Sequence, residues 1–132
     1  MRAVSVLGAG MIRFGKYPQA SLADLAVPAV REAMADAGTE PLDIHMAVCG
    51  TAFGGMLAGQ RILKEPGMTG IPITNVENAC SSGSSALHYA WLAVGSGLSD
   101  TALVIGVEKL SKLGRGPLPL EQEDWEVSNG LT

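Results

Sequence analysis

A chain of 132 residues is one modest domain, and its 47% hydrophobic against 17% charged residues falls short of the roughly 25% charge of an average domain. That shortage means that much of the surface is not made for water: helices are buried on several sides, or a large partner face exists. A formal net charge of −4 argues against nucleic acid as a partner, because phosphate binding needs a dense basic face.

The elements alternate along the chain. Ala3 to Leu7 (AVSVL) is a short apolar run closed by Gly8, Ala9 and Gly10, and reads as a first strand. Ser21 opens a helix, with Asp24 completing an imperfect capping box. Leu22, Leu25, Ala26, Ala29, Val30, Ala33, Met34 and Ala37 follow at helical spacing, Pro28 should bend the helix, and Gly38 ends it ahead of Pro41. Ile44 to Cys49 is a second strand. Gly54 to Leu63 suggests a short helix, Pro66 to Gly70 a loop, and Ile71 to Val76 a third strand. Gly83 to Gly97 is a second long helix, and Thr101 to Val107 a fourth strand. This β-α-β-α-β-α-β order implies an α/β fold with a mostly parallel sheet covered by helices. From Lys109 the character changes: glycines and prolines break structure, and acidic residues gather around Trp125. The expected organisation is therefore one unit over residues 1–108 and the start of another over 109–132.

The helix from Gly83 to Gly97 (GSSALHYAWLAVGSG) has no polar face, which is the mark of a helix buried on all sides. One sheet cannot bury it, and four strands do not easily supply a second layer. Part of the fold is therefore expected to lie outside these residues.

Cys49 and Cys80 lack zinc-ligand spacing, so no metal site is expected, and two cysteines make no disulfide scaffold. With no signal peptide visible and apolar stretches broken well short of ~20 residues, a cytoplasmic protein without a membrane span is the expectation. The Gly8–Gly10 pair after an apolar run invites a dinucleotide site. Position 13 is Arg, however, and the following FGKYPQ is no helix, so a tight turn or a close approach of backbone is the simpler reading.

Cys80 carries the strongest chemical signal. It stands between the third strand and the long helix, in Asn75-Val76-Glu77-Asn78-Ala79-Cys80-Ser81-Ser82-Gly83-Ser84. A thiol there meets the free N–H groups of a helix's first turn, which favour the thiolate and can donate to a carbonyl oxygen as it becomes an oxyanion. Gly83 and the small serines leave room for a substrate. The competing reading is a buried structural cysteine.

The stretch Val76 to Lys109, with its N-A-C-S-S-G-S-S-A core and its G-V-E-K-L end, resembles the active-site region of thiolases, most closely the sterol-carrier-protein and lipid-transfer-like type. Gly8 to Gly15 (GAGMIRFG) and the A-D-A-G ending at Gly38 fit as well. The resemblance implies that Cys80 takes the acyl group of an acyl-CoA. The group then passes to a second acyl-CoA carbanion, or in reverse a 3-ketoacyl-CoA is cleaved by CoA. Coenzyme A thioesters would be substrates, with no bound cofactor. Such proteins have two similar halves with a loop domain inserted in the first, and their catalytic histidines lie in the second half. The resemblance thus implies an N-terminal part that carries the nucleophile and needs the missing half, from a homo-oligomer or a partner subunit.

Other residues are weaker candidates. Cys49 could share an edge with Cys80 but reads better as packing. His45 should sit at the opposite end of the strands. His88 follows Cys80 by eight residues, and at 1.5 Å of rise per residue stands roughly 12 Å away, too far to be its base; it reads as a buried residue bonded to a neighbouring layer. Lys109, Lys112 and Arg115 could meet CoA phosphates, although a solvated loop explains them too. Glu77 and Asn78 suit a turn as well as a functional role. Three other functions stay open: a ketosynthase-type condensing enzyme, a carbon–carbon lyase acting on steroid CoA esters, and a non-catalytic lipid-binding or partner subunit.

Overall fold

Ser21 caps the first helix. In the computed structural model, which describes residues 1–110, its Oγ accepts from the Asp24 N–H at 3.1 Å, while the Asp24 carboxylate accepts from the Ser21 N–H at 2.7 Å. The bond from the Ser21 backbone, then that with its side chain, hold the Asp24 carboxyl below its ordinary range. The helix α1 runs Leu22–Ala37 and buries Leu25, Ala26, Val27, Val30 and Met34. Gly38 ends it at φ 65°, its N–H bonded to the Ala35 and Met34 carbonyls. Pro28 lies inside the helix on its exposed side.

A short 3₁₀ turn at Pro41–Asp43 leads into β1, Met46–Gly50. Then follow α2 (Ala58–Leu63), β2 (Ile73–Val76), a 3₁₀ turn at Ala79–Ser81, α3 (Ser82–Ser96) and β3 (Ala102–Gly106). The sheet has the order β2-β1-β3 with both pairings parallel, and Cys49 of β1 lies opposite Asn75 and Ile105. Two strands begin later than their apolar runs. The Ile44 N–H is taken by the Pro41 carbonyl at 3.3 Å, and Pro72 has no N–H to give a neighbour.

Alternation along the strands sorts the core into two layers. Ala47, Cys49, Leu103 and Ile105 face one way and pack with α1 and α2, where Ile62 and Leu63 are wholly buried. Burying each of those two stabilises the fold by about 1.5–3 kcal/mol. Val48 faces the other way, onto Ala86 and Ala90 of α3, with Met46, Val76, Ala102 and Val104 around them. The small residues of α3 let the helix lie close on the sheet.

The structure corrects two expectations. Ala3 to Leu7 is not a strand: the described sheet has three strands, and this run pairs with none of them. Val6 is 81% exposed. The segment instead leans on helix ends and helix faces. The Arg2 N–H bonds the Gly95 carbonyl at 2.9 Å, and Ala9 and Met11 donate to the carboxylates of Asp36 and Glu32 on α1, each at 2.9 Å. Gly8 and Gly10 are pressed against α1. A Cβ on either would fall 2.4 Å from the Ala33 carbonyl oxygen or 2.2 Å from that of Ala29, so the pair serves close approach. An apolar run becomes a strand only beside another strand, and no described strand borders this one.

The second correction concerns His88 on α3, expected from the sequence to be buried. The sheet-facing side of α3 is buried, but Leu87, His88, Tyr89 and Trp91 are exposed on the outer side, because nothing among the described residues lies over them. His88 stacks on Trp91 at a ring separation of 5.7 Å and is not buried.

Candidate active site around Cys80

Because the strands are parallel, their C-terminal ends share one edge, and the start of α3 rests on it. β1 and β3 both end in glycine there. A Cβ on Gly50 would lie 2.2 Å from the Ser82 carbonyl oxygen, and a Cβ on Gly83 would touch the Gly106 Cα at 3.8 Å. A side chain at Gly50 would lift the helix start away from the sheet, whereas a Cβ on Gly106 would rest in ordinary contact with the Gly83 Cα at 3.6 Å.

Cys80 sits at the centre of the 3₁₀ turn Ala79–Ser81, which runs directly into the fifteen residues of α3, and it is exposed. Its neighbours are fixed. The Asn78 N–H donates to Ser82 Oγ at 2.9 Å, and that hydroxyl donates to the Ala79 carbonyl at 2.8 Å. Asn78 Nδ2 donates to Ser85 Oγ at 3.0 Å, the Ser81 N–H bonds the Asn78 carbonyl at 2.8 Å, and the Ala79 N–H donates to the Glu77 carboxylate. Ser82 itself is buried. Ala79 has φ 46°, a left-handed conformation that costs a residue bearing a Cβ on the order of 1 kcal/mol. The strain sits beside the thiol, and the network around it opposes relaxation. Glu77 and Asn78 are thus structural parts of the turn.

Cys49 has a different environment. It is wholly buried, faces α2, and stands where a Cβ on Gly59 would approach its own Cβ at 2.9 Å. Burial first, and the Glu108 carboxylate second, push its thiol up to about 11 from an ordinary 9.0. It stays protonated at neutral pH and packs on the α1–α2 side, while the Cys80 turn leads into α3 on the other. Both thiols are free. The raised value has a consequence for stability. The unfolded chain ionises this thiol near 9 and the folded chain near 11, so the contribution is complete below about pH 9 and is lost as pH rises to about 11. Two units correspond to about 2–3 kcal/mol. Urea unfolding of the parent and of Cys49→Ala at pH 8 and pH 10.5 should show a smaller loss with rising pH in the variant.

The remaining candidates are dispersed. His45 is exposed just before β1, its N–H bonded to Thr101, at the opposite end of the sheet from Cys80. Five strand residues separate those ends by roughly 16 Å. Lys109 donates through Nζ to the carbonyls of Pro18 (3.0 Å) and Ala20, and so ties down the loop before α1. Lys112, Arg115 and most of the expected 109–132 unit lie outside the described residues. Among the described residues no three His, Cys, Asp or Glu side chains gather as a metal site, and no helix is long and apolar enough to cross a membrane. An open apolar groove of about 620 Å³ lies between α3 and the β1–β2 side of the sheet, lined by Met46, Val48, Val76, Tyr89 and Leu92 among others.

Sequence reasoning assigned no role to Glu108. Its carboxylate accepts from the Ala52 N–H at 2.7 Å, the Phe53 N–H at 3.2 Å and the Thr51 hydroxyl at 3.2 Å. The available signal was a charge directly after an apolar strand, inside the G-V-E-K-L run.

The sequence that folds in this way matches a known family over most of its length. Residues 4–118 match the thiolase N-terminal domain, and the chain belongs to the thiolase family. It is 42% identical to non-specific lipid-transfer protein-like 2 of Caenorhabditis elegans over 111 residues, which cover 82% of this chain and 27% of that one. It is 36% identical to an acetyl-CoA acetyltransferase of Methanocaldococcus jannaschii over 140 aligned positions, covering 100% of this chain and 36% of that one. Among solved structures, the acetyl-CoA acetyltransferase of Syntrophomonas wolfei superposes with a TM-score of 0.74 at 26% identity, over 89% of this chain and 33% of that one. The chain thus spans about a quarter to a third of the length of these relatives.

Proposed function

We propose that this chain supplies the nucleophile of thiolase-type acyl transfer between coenzyme A thioesters, with Cys80 as the acyl acceptor. The observation that carries the reading is the exposed thiol in a strained, hydrogen-bonded turn at the head of α3. The family membership and the acetyl-CoA acetyltransferase relatives support the same chemistry. In this reading the Cys80 thiolate attacks the thioester carbonyl, the tetrahedral oxyanion collapses, and CoA leaves as its thiolate, giving acyl-Cys80. The acyl group then passes to the carbanion of a second acyl-CoA, or the reverse sequence cleaves a 3-ketoacyl-CoA.

The cycle needs a base and a proton donor near the sulfur. Neither His45, at the far end of the sheet, nor His88, two turns along α3, meets that need. The base therefore comes from outside the described residues, from another segment or another chain. The exposed apolar side of α3 and the groove beside it suit an additional layer of protein, and assembly with a second copy or a partner belongs to the same proposal.

Brief alkylation with iodoacetamide at neutral pH tests the assignment of the two thiols. Burial and a value near 11 leave Cys49 with about a hundredfold less thiolate than an ordinary thiol would have. Peptide mass spectrometry should find Cys80 modified at least about a hundred times faster than Cys49. Equal labelling, or preference for Cys49, would remove Cys80 from its role.

A further inference from the structure

The most connected charged side chain of the strand-end edge is Glu108, and its partners lie in the loop that follows β1 at that edge. Thr51, whose hydroxyl donates to this carboxylate, is itself buried, and its N–H bonds the Val76 carbonyl at 3.2 Å, at the end of β2. The Val107 N–H bonds the Gly50 carbonyl at 3.2 Å, at the end of β1. Thr51 Oγ1 also accepts from the Gly54 N–H at 3.0 Å, which closes the loop into a turn. The carboxylate just after β3 thus holds the loop that leaves β1, and the Thr51 backbone joins that loop to the end of β2. From Val76 the chain passes straight to Asn78 and Cys80, while Gly50 and Gly106 bear on Ser82 and Gly83.

We propose that Glu108 is a positioning residue for Cys80: its carboxylate clasps the Thr51–Phe53 loop and so fixes the floor on which the nucleophile's turn stands. The proposal rests on the reading of Cys80 as acyl acceptor. What the clasp demands is reach, not charge. Glutamine keeps the length, its carbonyl oxygen able to accept from Ala52 and Phe53 and its NH2 able to donate to Thr51 Oγ1. Aspartate keeps the charge but is one methylene too short to serve the same three donors.

The test compares Glu108→Gln and Glu108→Asp in the full chain, in whatever assembly it forms. Acylation of Cys80 by acetyl-CoA, followed by the mass of its peptide, should fall at least about tenfold in Glu108→Asp and stay within about threefold of the parent in Glu108→Gln. Alkylation of Cys80 by iodoacetamide, which needs an accessible thiol but no oriented carbonyl, should change less than about twofold in both. Loss of acylation in the glutamine variant equal to that in the aspartate variant overturns the proposal, as does parental acylation in the aspartate variant. If Glu108→Asp fails to fold, seen as alkylation of Cys49, Thr51→Val takes its place. Its expected loss of acylation is about fivefold, and a rate within about twofold of the parent overturns the clasp. A parent chain that takes no acyl group at Cys80 overturns the proposed function instead. Amide exchange at Ala52 and Phe53 then decides the clasp: faster in Glu108→Asp and unchanged in Glu108→Gln supports it, and unchanged in both overturns it.

Discussion

Replacing Cys80 with serine is expected to lower acyl transfer from acyl-CoA to the protein by at least about a thousandfold, with little change in stability. A hydroxyl is not ionised where a thiol gives some thiolate, and loss of the nucleophile is among the largest single effects in acyl-transfer catalysis. The side chain is exposed and accepts no hydrogen bond that the turn depends on; the bonds that shape the turn come from Glu77, Asn78 and Ser82. Unfolding free energy should therefore stay within about 0.5 kcal/mol of the parent. Transfer measured as release of free CoA checks the first expectation, and urea unfolding the second. A serine variant that released CoA at the parental rate would place the acyl acceptor elsewhere in the chain.

The second large effect is expected at Gly50, a position that carries no reacting atom. Alanine there places Cβ 2.2 Å from the Ser82 carbonyl oxygen and 2.5 Å from its carbon. Both are backbone atoms at the start of α3, so no side chain can swing aside. Gly50 also pairs with Val76 and Gly106, which blocks a shift of β1 in the other direction. Relief must come from lifting the Ser82 end of the helix, and Cys80 moves with it. Gly50→Ala should destabilise the fold by about 3 kcal/mol, near the upper end of overpacking substitutions. It should also slow acylation of Cys80 in the molecules that remain folded. Gly38→Ala is a useful comparison, because a Cβ there meets nothing within 4 Å and only the left-handed φ of 65° opposes it. Its cost should be nearer 1 kcal/mol. Equal stability of the parent and Gly50→Ala would mean that the helix start is not seated on the strand ends.

Much of this architecture was legible because it is local. Ser21 and Asp24 are three residues apart, and Gly38 closes its own helix, so α1 could be read directly from the sequence. The parallel sheet followed from strands and helices in alternation, and the place of Cys80 from the junction of an apolar run with a helix. What escaped depends on residues far apart in the chain. Ala3 to Leu7 has the composition of a strand, but strand formation is decided by neighbours, and the residues that flank this run, Arg2, Ala9 and Met11, bond to the α1 and α3 helices. The outer side of α3 is apolar in the sequence and exposed in the fold, because hydrophobicity shows that a cover is needed without showing which chain supplies it. Glu108 lies more than fifty residues from the amides it holds, and Lys109 some ninety from the carbonyls it binds. No spacing rule joins such pairs; only the fold brings them together.

The central claim, that Cys80 carries the acyl group, is tested most directly by trapping the acyl-enzyme. The chain is incubated with acetyl-CoA, quenched in acid to protect the thioester, digested, and each cysteine peptide is weighed. The expected result is an added acetyl group on the Cys80 peptide, removed by hydroxylamine or excess CoA, and none on the Cys49 peptide. An acetyl group found on Cys49, or on neither peptide while free CoA accumulates, would contradict the account.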